Sequence, residues 1–345
     1  MSAPDTLASL GERGLLERLR PLLSRHSEGL VLGTGDDAAV LPAPPPGTRQ
    51  VWTLDTMVEG VHFRWWKRNS PRLVGRKLAA SNLSDLAAMG AEPESALLSF
   101  AAPGDAAARD AVEFFEGLAA ELQAHGARLI GGDVVHAPQW CLTLSLSGRV
   151  RESAPVAARG AARPGDFVYL TGSPGESAAG LELLEGHAPA ARGDHSALVA
   201  RHLAPTPRLA EGRLLASLAP RLAMIDVSDG VAHECWEVAR QSAAAVVLFE
   251  DALTPSPGLG AFARETGQDA LDLLLYGGED YELVACLPTD EARVAEAFAA
   301  AGLAPPRRVG RVEAGAGVFL ERSGGRREPL GPGGFEHFRD PGAAH

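Results

Sequence analysis

Residues 33 to 40 read GTGDDAAV and follow a short apolar run, Leu30, Val31 and Leu32. Asp36 and Asp37 stand side by side after a glycine-flanked turn, and adjacent negative charges destabilise each other unless water or a cation lies between them. The stretch also fits G-x-G-x-x-A, a dinucleotide-binding pattern. That pattern offers bare backbone N–H groups to a pyrophosphate, which two aspartates would repel, so the charge argues against it. Acidic residues recur in this manner along the chain. Asp55 interrupts the apolar strand VWTLDTMV, and Asp85 lies at i+3 from Asn82 and i+4 from Ser81, a spacing that predicts three polar groups on one helix face. Asp133 follows two glycines in RLIGGDVV, where the backbone can approach a ligand closely. Asp226 and Asp229 bracket Ser228 in MIDVSDG, and Glu279 and Asp280 follow a glycine pair in YGGEDYEL. Plain alternatives exist: Asp229 could N-cap the next helix, Asp85 could be solvated, and Glu279–Asp280 could be a turn. Asp55 is harder to dismiss, because an unpaired charge in so apolar a strand is expensive to bury. Six such clusters at glycine-bearing strand ends predict cages for Mg2+, a cation that takes oxygen ligands, keeps several waters and completes its shell with phosphates.

Other chemistries lack their motifs. There is no G-x-x-x-x-G-K-[ST], and TGSPGESAAG lacks the lysine of a P-loop. HECWE is not H-E-x-x-H, and the ten histidines are dispersed. The formal net charge of −12 argues against a nucleic-acid footprint and makes a phosphate-rich substrate costly to bind without metal ions. Three widely spaced cysteines, Cys141, Cys235 and Cys286, exclude a disulfide framework and fit a reducing cytosol. No signal peptide and no membrane-spanning apolar run is visible.

The elements that must position these acids alternate. A helix is expected over 5 to 24, with Leu7, Leu10, Leu15, Leu19 and Leu22 near one face. Strands are expected at 51 to 58, 95 to 102 and 140 to 150, with helices at 71 to 90 and 106 to 125 between them. Turn-rich SAPVAARGAARPGD (153 to 166) marks a domain boundary. Beyond it come strands FVYLTG, LAMIDV and AAVVLFE, and helices through ESAAGLELLEG and at 207 to 218, 231 to 243 and 291 to 301. At 345 residues the chain can hold two α/β domains, residues 1–152 and 153–345.

The blocks GTGDDAAV, TLDTMVEGVHF, NLSDLAAMGA, LIGGDVV, PGDFVYLTG, IDVSDG and GGEDYEL resemble, in order, those of the thiamine-monophosphate kinase family, within the aminoimidazole ribonucleotide synthetase superfamily. The resemblance spans roughly residues 25 to 340. It implies transfer of the ATP γ-phosphoryl group to thiamine monophosphate with the help of several Mg2+ ions. It also implies a cytoplasmic homodimer, whose N-terminal mixed sheets with helices pair into a barrel, and a C-terminal α/β sandwich domain. Carried over by position, Asp37, Thr53, Leu54, Asp55, Asp85, Asp133, Asp226 and Asp229 resemble metal ligands, with Asp55, Asp85 and Asp229 the most critical. Leu54 stands where the family often has threonine, so its part falls to the backbone carbonyl. Gly132, Asp133, Arg159 and Ser228 resemble ATP contacts. His62, Glu279 and Phe335 match substrate positions; Phe335 keeps a stacking face where the family often has tyrosine or tryptophan. The resemblance assigns no role to Asp36. No general base is needed, because a phosphate nucleophile is largely ionised, with a second pKa of about 6. Another ATP-using member of the same superfamily and a non-catalytic metal–nucleotide sensor are the alternatives.

Overall fold

The structure, a computed structural model, describes residues 5–34 and 37–334. Its first element is α1 (Leu7–His26), opened by a reciprocal capping box between Thr6 and Ser9. Gly11 sits inside it at φ 69°, so the expected continuous helix is two helical pieces joined at a kink. β1 (Thr48–Val58), α2 (Pro71–Ala88), β2 (Glu92–Ala102), α3 (Ala108–Ala124), β3 (Arg128–His136) and β4 (Cys141–Arg151) follow. The four strands form one mixed sheet in the order β1-β4-β2-β3. β4 is antiparallel to both neighbours, while β2 and β3 are parallel, and α3 supplies the crossover that parallel strands require.

Side chains alternate across a strand, and the register shows what each face carries. Met57, Leu98, Phe100, Leu142 and Leu144 lie on a buried face, where Phe100 packs against Phe114 and Phe115 of α3. The opposite face carries Trp52 and Leu54, 59% and 61% exposed, with Leu97 and Val135 also exposed.

After a single 3-10 turn at Arg159–Ala161, the chain continues through β5 (Phe167–Leu170), α4 (Glu176–Glu185), α5 (Ser196–Leu203), α6 (Leu209–Ser217), β6 (Ala223–Asp226), α7 (Val231–Ser242) and β7 (Ala245–Phe249). Then come α8 (Pro257–Thr266), α9 (Ala270–Tyr276), β8 (Leu283–Leu287), α10 (Glu291–Ala300), β9 (Arg307–Glu313), β10 (Gly317–Glu321) and β11 (Arg327–Leu330). These strands make a second sheet, ordered β11-β10-β7-β9-β5-β8-β6, in which β10 and β7 pair in parallel and the other neighbours are antiparallel. Its core is aliphatic, with Ile225, Val246, Leu248, Val284 and Val309 fully or almost fully buried. Cys235 and Cys286 are buried in this core, whereas Cys141, on β4, is half-buried. The chain divides into two compact units, one holding residues up to Leu86 together with Ala91–Ser153, the other Ala87–Gly90 and everything from Ala154. Among the described residues, no helix is long and apolar enough to cross a membrane.

Candidate active site

In the N-terminal unit the period of β1 brings Thr53 and Asp55 against α2. The Thr53 hydroxyl donates to Asp85 Oδ2, and one helical turn earlier Ser81 hydrogen-bonds with Asp55. Burial and then the negative charge of Asp85 push the Asp55 carboxyl up to about 6, against the Ser81 hydrogen bond. A charged Asp85 beside the desolvated Asp55 makes a field that also attracts a cation, and a carboxylate pair with a hydroxyl suits the hard oxygen chemistry of Mg2+. Asn82 is the third polar residue of this stretch. It is fully buried and donates through Nδ2 to the Leu78 carbonyl at 3.0 Å.

Leu54 turns its side chain to the exposed face. The Glu59 N–H donates to Trp140 O, so by the two-residue alternation of an antiparallel ladder the peptide groups of Leu54, Thr56 and Val58 point to the open edge of the sheet. The Val58 N–H there donates to His62 Nδ1 at 3.1 Å. An accepting Nδ1 leaves the proton of a neutral imidazole on Nε2.

Asp133 is not brought to this pair. It registers with Ser99 on β2, which registers with Thr143 on β4 and through it with Thr56 on β1. It therefore lies on the face opposite Asp55 and three strand spacings away, about 14 Å. Gly132 has a packing reason of its own, since a Cβ there would strike the Leu98 carbonyl oxygen. Asp37 is exposed, in a loop closed by reciprocal hydrogen bonds between Leu32 and Val40. Asp36 and Phe335 lie outside the described residues.

In the C-terminal unit, β6 ends at the buried Asp226, and the residues after it are laced to the segment before β8. The Glu279 N–H donates to Ser228 O at 2.7 Å, Tyr281 N–H to Val227 O at 2.8 Å, and Val227 N–H to Glu282 O at 2.8 Å. Asp226, Ser228, Asp229 and Glu279 are thereby gathered at one end of the sheet. Asp229 is not a helix cap: the N-cap of α7 is Gly230, and no side chain caps it.

Glu234, which no motif singled out, and Asp280 of YGGEDYEL hold this end together. Ser228 Oγ, at 3.3 Å, and Asp229 N–H, at 3.1 Å, both donate to Glu234 Oε1. Burial pushes the Glu234 carboxyl up to about 7; the N–H of Asp229 opposes the rise, its charge adds to it, and His233 and Arg159 pull downward. Arg159, an exposed side chain, is thus felt at the Ser228–Asp229 turn. Asp280 is half-buried as a residue, but desolvation pushes its carboxyl up to about 8, opposed by the N–H groups of Gly175 and Ser177, which donate to it at 2.7 and 3.0 Å. Asp280 so caps α4, whose N-cap Gly175 has no side chain to do it, and occupies the amides that a phosphate loop would offer. Glu279 and Tyr281 flank it at φ 61° and 53°. Such dihedrals cost a non-glycine residue roughly 1–2 kcal/mol and persist where surroundings over-determine them. An acid just past a turn looks in sequence like a solvated residue, so nothing there distinguished Glu234.

Among the described residues no group of three or more His, Cys, Asp and Glu side chains gathers to hold a metal ion, and the carboxylate pairing seen in the N-terminal unit is Asp55 with Asp85. Mg2+ is commonly bound through one or two carboxylates plus substrate phosphates, and such pairs fit it.

Residues 35–150 match the family described as AIR synthase related protein, N-terminal domain, and residues 163–322 the corresponding C-terminal domain. The thiamine-monophosphate kinase of Synechococcus elongatus is 37% identical over 293 residues, covering 84% of this chain and 85% of that protein. The crystal structure of thiamine-monophosphate kinase from Stenotrophomonas maltophilia superposes with a TM-score of 0.77 at 33% identity, over 89% of this chain and 95% of the other. AaThiL complexed with AMPPCP and TMP gives a TM-score of 0.75 at 29% identity, over 98% and 100%. With this identity to thiamine-monophosphate kinases over most of its length and a shared two-domain α/β fold, this chain belongs to the thiamine-monophosphate kinase family.

Proposed function

We propose that the chain phosphorylates thiamine monophosphate with ATP, giving thiamine diphosphate and ADP by direct in-line transfer. The observation that carries this is the desolvated Asp55–Asp85 pair, in a chain related to curated thiamine-monophosphate kinases over more than four-fifths of its length. Asp55, Asp85, the Thr53 hydroxyl and the Leu54 carbonyl would hold Mg2+ in domain 1–152; Asp37 and Asp133, apart from that pair, would hold Mg2+ separately, and Asp226 and Asp229 would do so in domain 153–345. When bound, Mg2+ neutralises crowded phosphate charge and so lowers the barrier to transfer. Ser228 and Arg159 supply a hydroxyl and a guanidinium to ATP, and Gly132 its backbone. His62 donates from Nε2 to a phosphate oxygen. The Glu279 carboxylate faces the positively charged ring end of the acceptor, and Phe335 offers it a stacking surface. No side chain has to remove a proton, since the attacking oxygen belongs to an ionised phosphate.

The exposed face bearing Trp52, Leu54, Leu97 and Val135 suits a second copy of the chain, and pairing two four-stranded sheets into a closed barrel would also protect the edge strands β1 and β3. Family relatives and the absence of a long apolar helix among the described residues support a cytoplasmic setting.

Product analysis tests the reaction. ADP should form only with thiamine monophosphate present, thiamine diphosphate should match it in amount, and plain thiamine should be inert, having a hydroxyl with no base to ionise it. Stoichiometric free phosphate would instead identify a synthetase, in which the transferred group activates an oxygen and then leaves. Tight nucleotide binding without turnover would identify a sensor.

A further inference from the structure

Glu279 is held from behind by groups outside its own loop. His202, on α5, is 1% exposed, and its Nδ1 lies 3.6 Å from Glu279 Oε2 and 3.1 Å from Ser177 Oγ. Ser177, also 1% exposed, is anchored in turn, because its N–H donates to Asp280, the residue that follows Glu279. The support beneath is stiff. α4 and α5 touch backbone to backbone at Gly180, where a Cβ would strike the Leu198 carbonyl oxygen and stand 3.1 Å from His202 Cβ.

The chemistry of the contact is directional. A carboxylate only accepts, so an attractive contact between Glu279 and His202 puts a proton on Nδ1. Ser177 Oγ lies beside the same nitrogen and can share that N–H, keeping its own hydroxyl proton to give. The backbone of Glu279, pinned at φ 61° by its bond to Ser228, fixes where the side chain leaves the loop but not where its carboxylate points. That end is 28% exposed and can turn about three side-chain torsions.

We propose, on the assignment of Glu279 to the acceptor made above, that His202 is a positioning residue for acceptor binding: through Nδ1–H, and with Ser177 beside it, His202 holds the Glu279 carboxylate in the orientation that meets the positively charged ring end of thiamine monophosphate. It acts only through Glu279, and it is remote in role from ATP. A residue that fixes a binding group in advance raises affinity without taking part in chemistry.

A mutant cycle on the full chain tests this by steady-state kinetics, with KM for thiamine monophosphate and for ATP measured separately. His202→Leu should raise the KM for thiamine monophosphate roughly tenfold and leave kcat and the KM for ATP within about twofold. His202→Asn, whose amide N–H can stand where Nδ1–H stood, should recover most of the loss. In a Glu279→Ala background, His202→Leu should add nothing further. If the leucine variant does not fold, Ser177→Ala takes its place in the same cycle, with the same direction expected. An unchanged KM for thiamine monophosphate, or an equal rise with and without Glu279, would overturn the proposal and leave the kinase assignment standing. A wild-type chain that does not turn over thiamine monophosphate would overturn both.

Discussion

Asp55→Asn should move stability and activity in opposite directions. In the folded chain, burial and Asp85 raise the Asp55 carboxyl from 3.8 to about 6. Because the folded value exceeds the unfolded one, the folded state binds extra proton between those values. Stability therefore falls as pH rises through that window, and the whole cost is present above it. A shift of about two units at about 1.4 kcal/mol each sets a ceiling of about 3 kcal/mol at neutral pH without a cation. Asparagine removes the repulsion but brings a desolvated amide and a poorer partner for Ser81, so a net gain of about 1–2 kcal/mol is expected. At about 2–4 °C per kcal/mol, thermal melting in chelator at about pH 7.5 should show the variant a few degrees above wild type, with the gap closing at about pH 5. Added Mg2+ should stabilise wild type more than the variant, and the variant should lose most of its kinase activity. A variant that melts lower by the same margin at both pH values would refute the claim that Asp55 and Asp85 form a strained pair awaiting a cation.

Asp280→Ala leaves two buried N–H groups, those of Gly175 and Ser177, without their acceptor, and should cost about 1–3 kcal/mol in urea unfolding. Asp280→Asn, which keeps one acceptor oxygen, should cost less, and equal midpoints for all three proteins would refute the capping role. Replacing Trp52 and Leu54 together by aspartate should turn a dimer into monomers in sedimentation velocity while leaving far-ultraviolet circular dichroism unchanged. An undisturbed dimer would show that this face is not the interface.

Alternation along β1 is local, so the grouping of Thr53 and Asp55 could be read from VWTLDTMV alone. The placement of Asp133 could not, because it depends on β4, the last strand of the unit, inserting between β1 and β2. α5, α8 and α9 have only 8, 10 and 7 residues, too few turns for a clear period. The strands at the C-terminal end are dense in charge, which masks their pattern. Arg311 and Arg327 there pair with Glu313 and Glu321 across β9, β10 and β11. Asp280 was visible as a residue, but its function as a cap for α4 arises from a contact spanning more than a hundred positions.

The three thiols divide unevenly between the units, and that makes the chain its own reporter. Cys141 on β4 is half-buried, whereas Cys235 and Cys286 are sealed in the aliphatic core of the other unit, with burial pushing both thiols upward. An alkylating reagent needs both thiolate and access, so it should modify Cys141 early, while the other two wait for their core to open. The lag between one modified cysteine and three, followed by intact-mass spectrometry, then clocks the opening of the C-terminal unit alone. No dye or added label is required, and a ligand that stabilises that unit should raise the logarithm of the lag in proportion to the free energy gained.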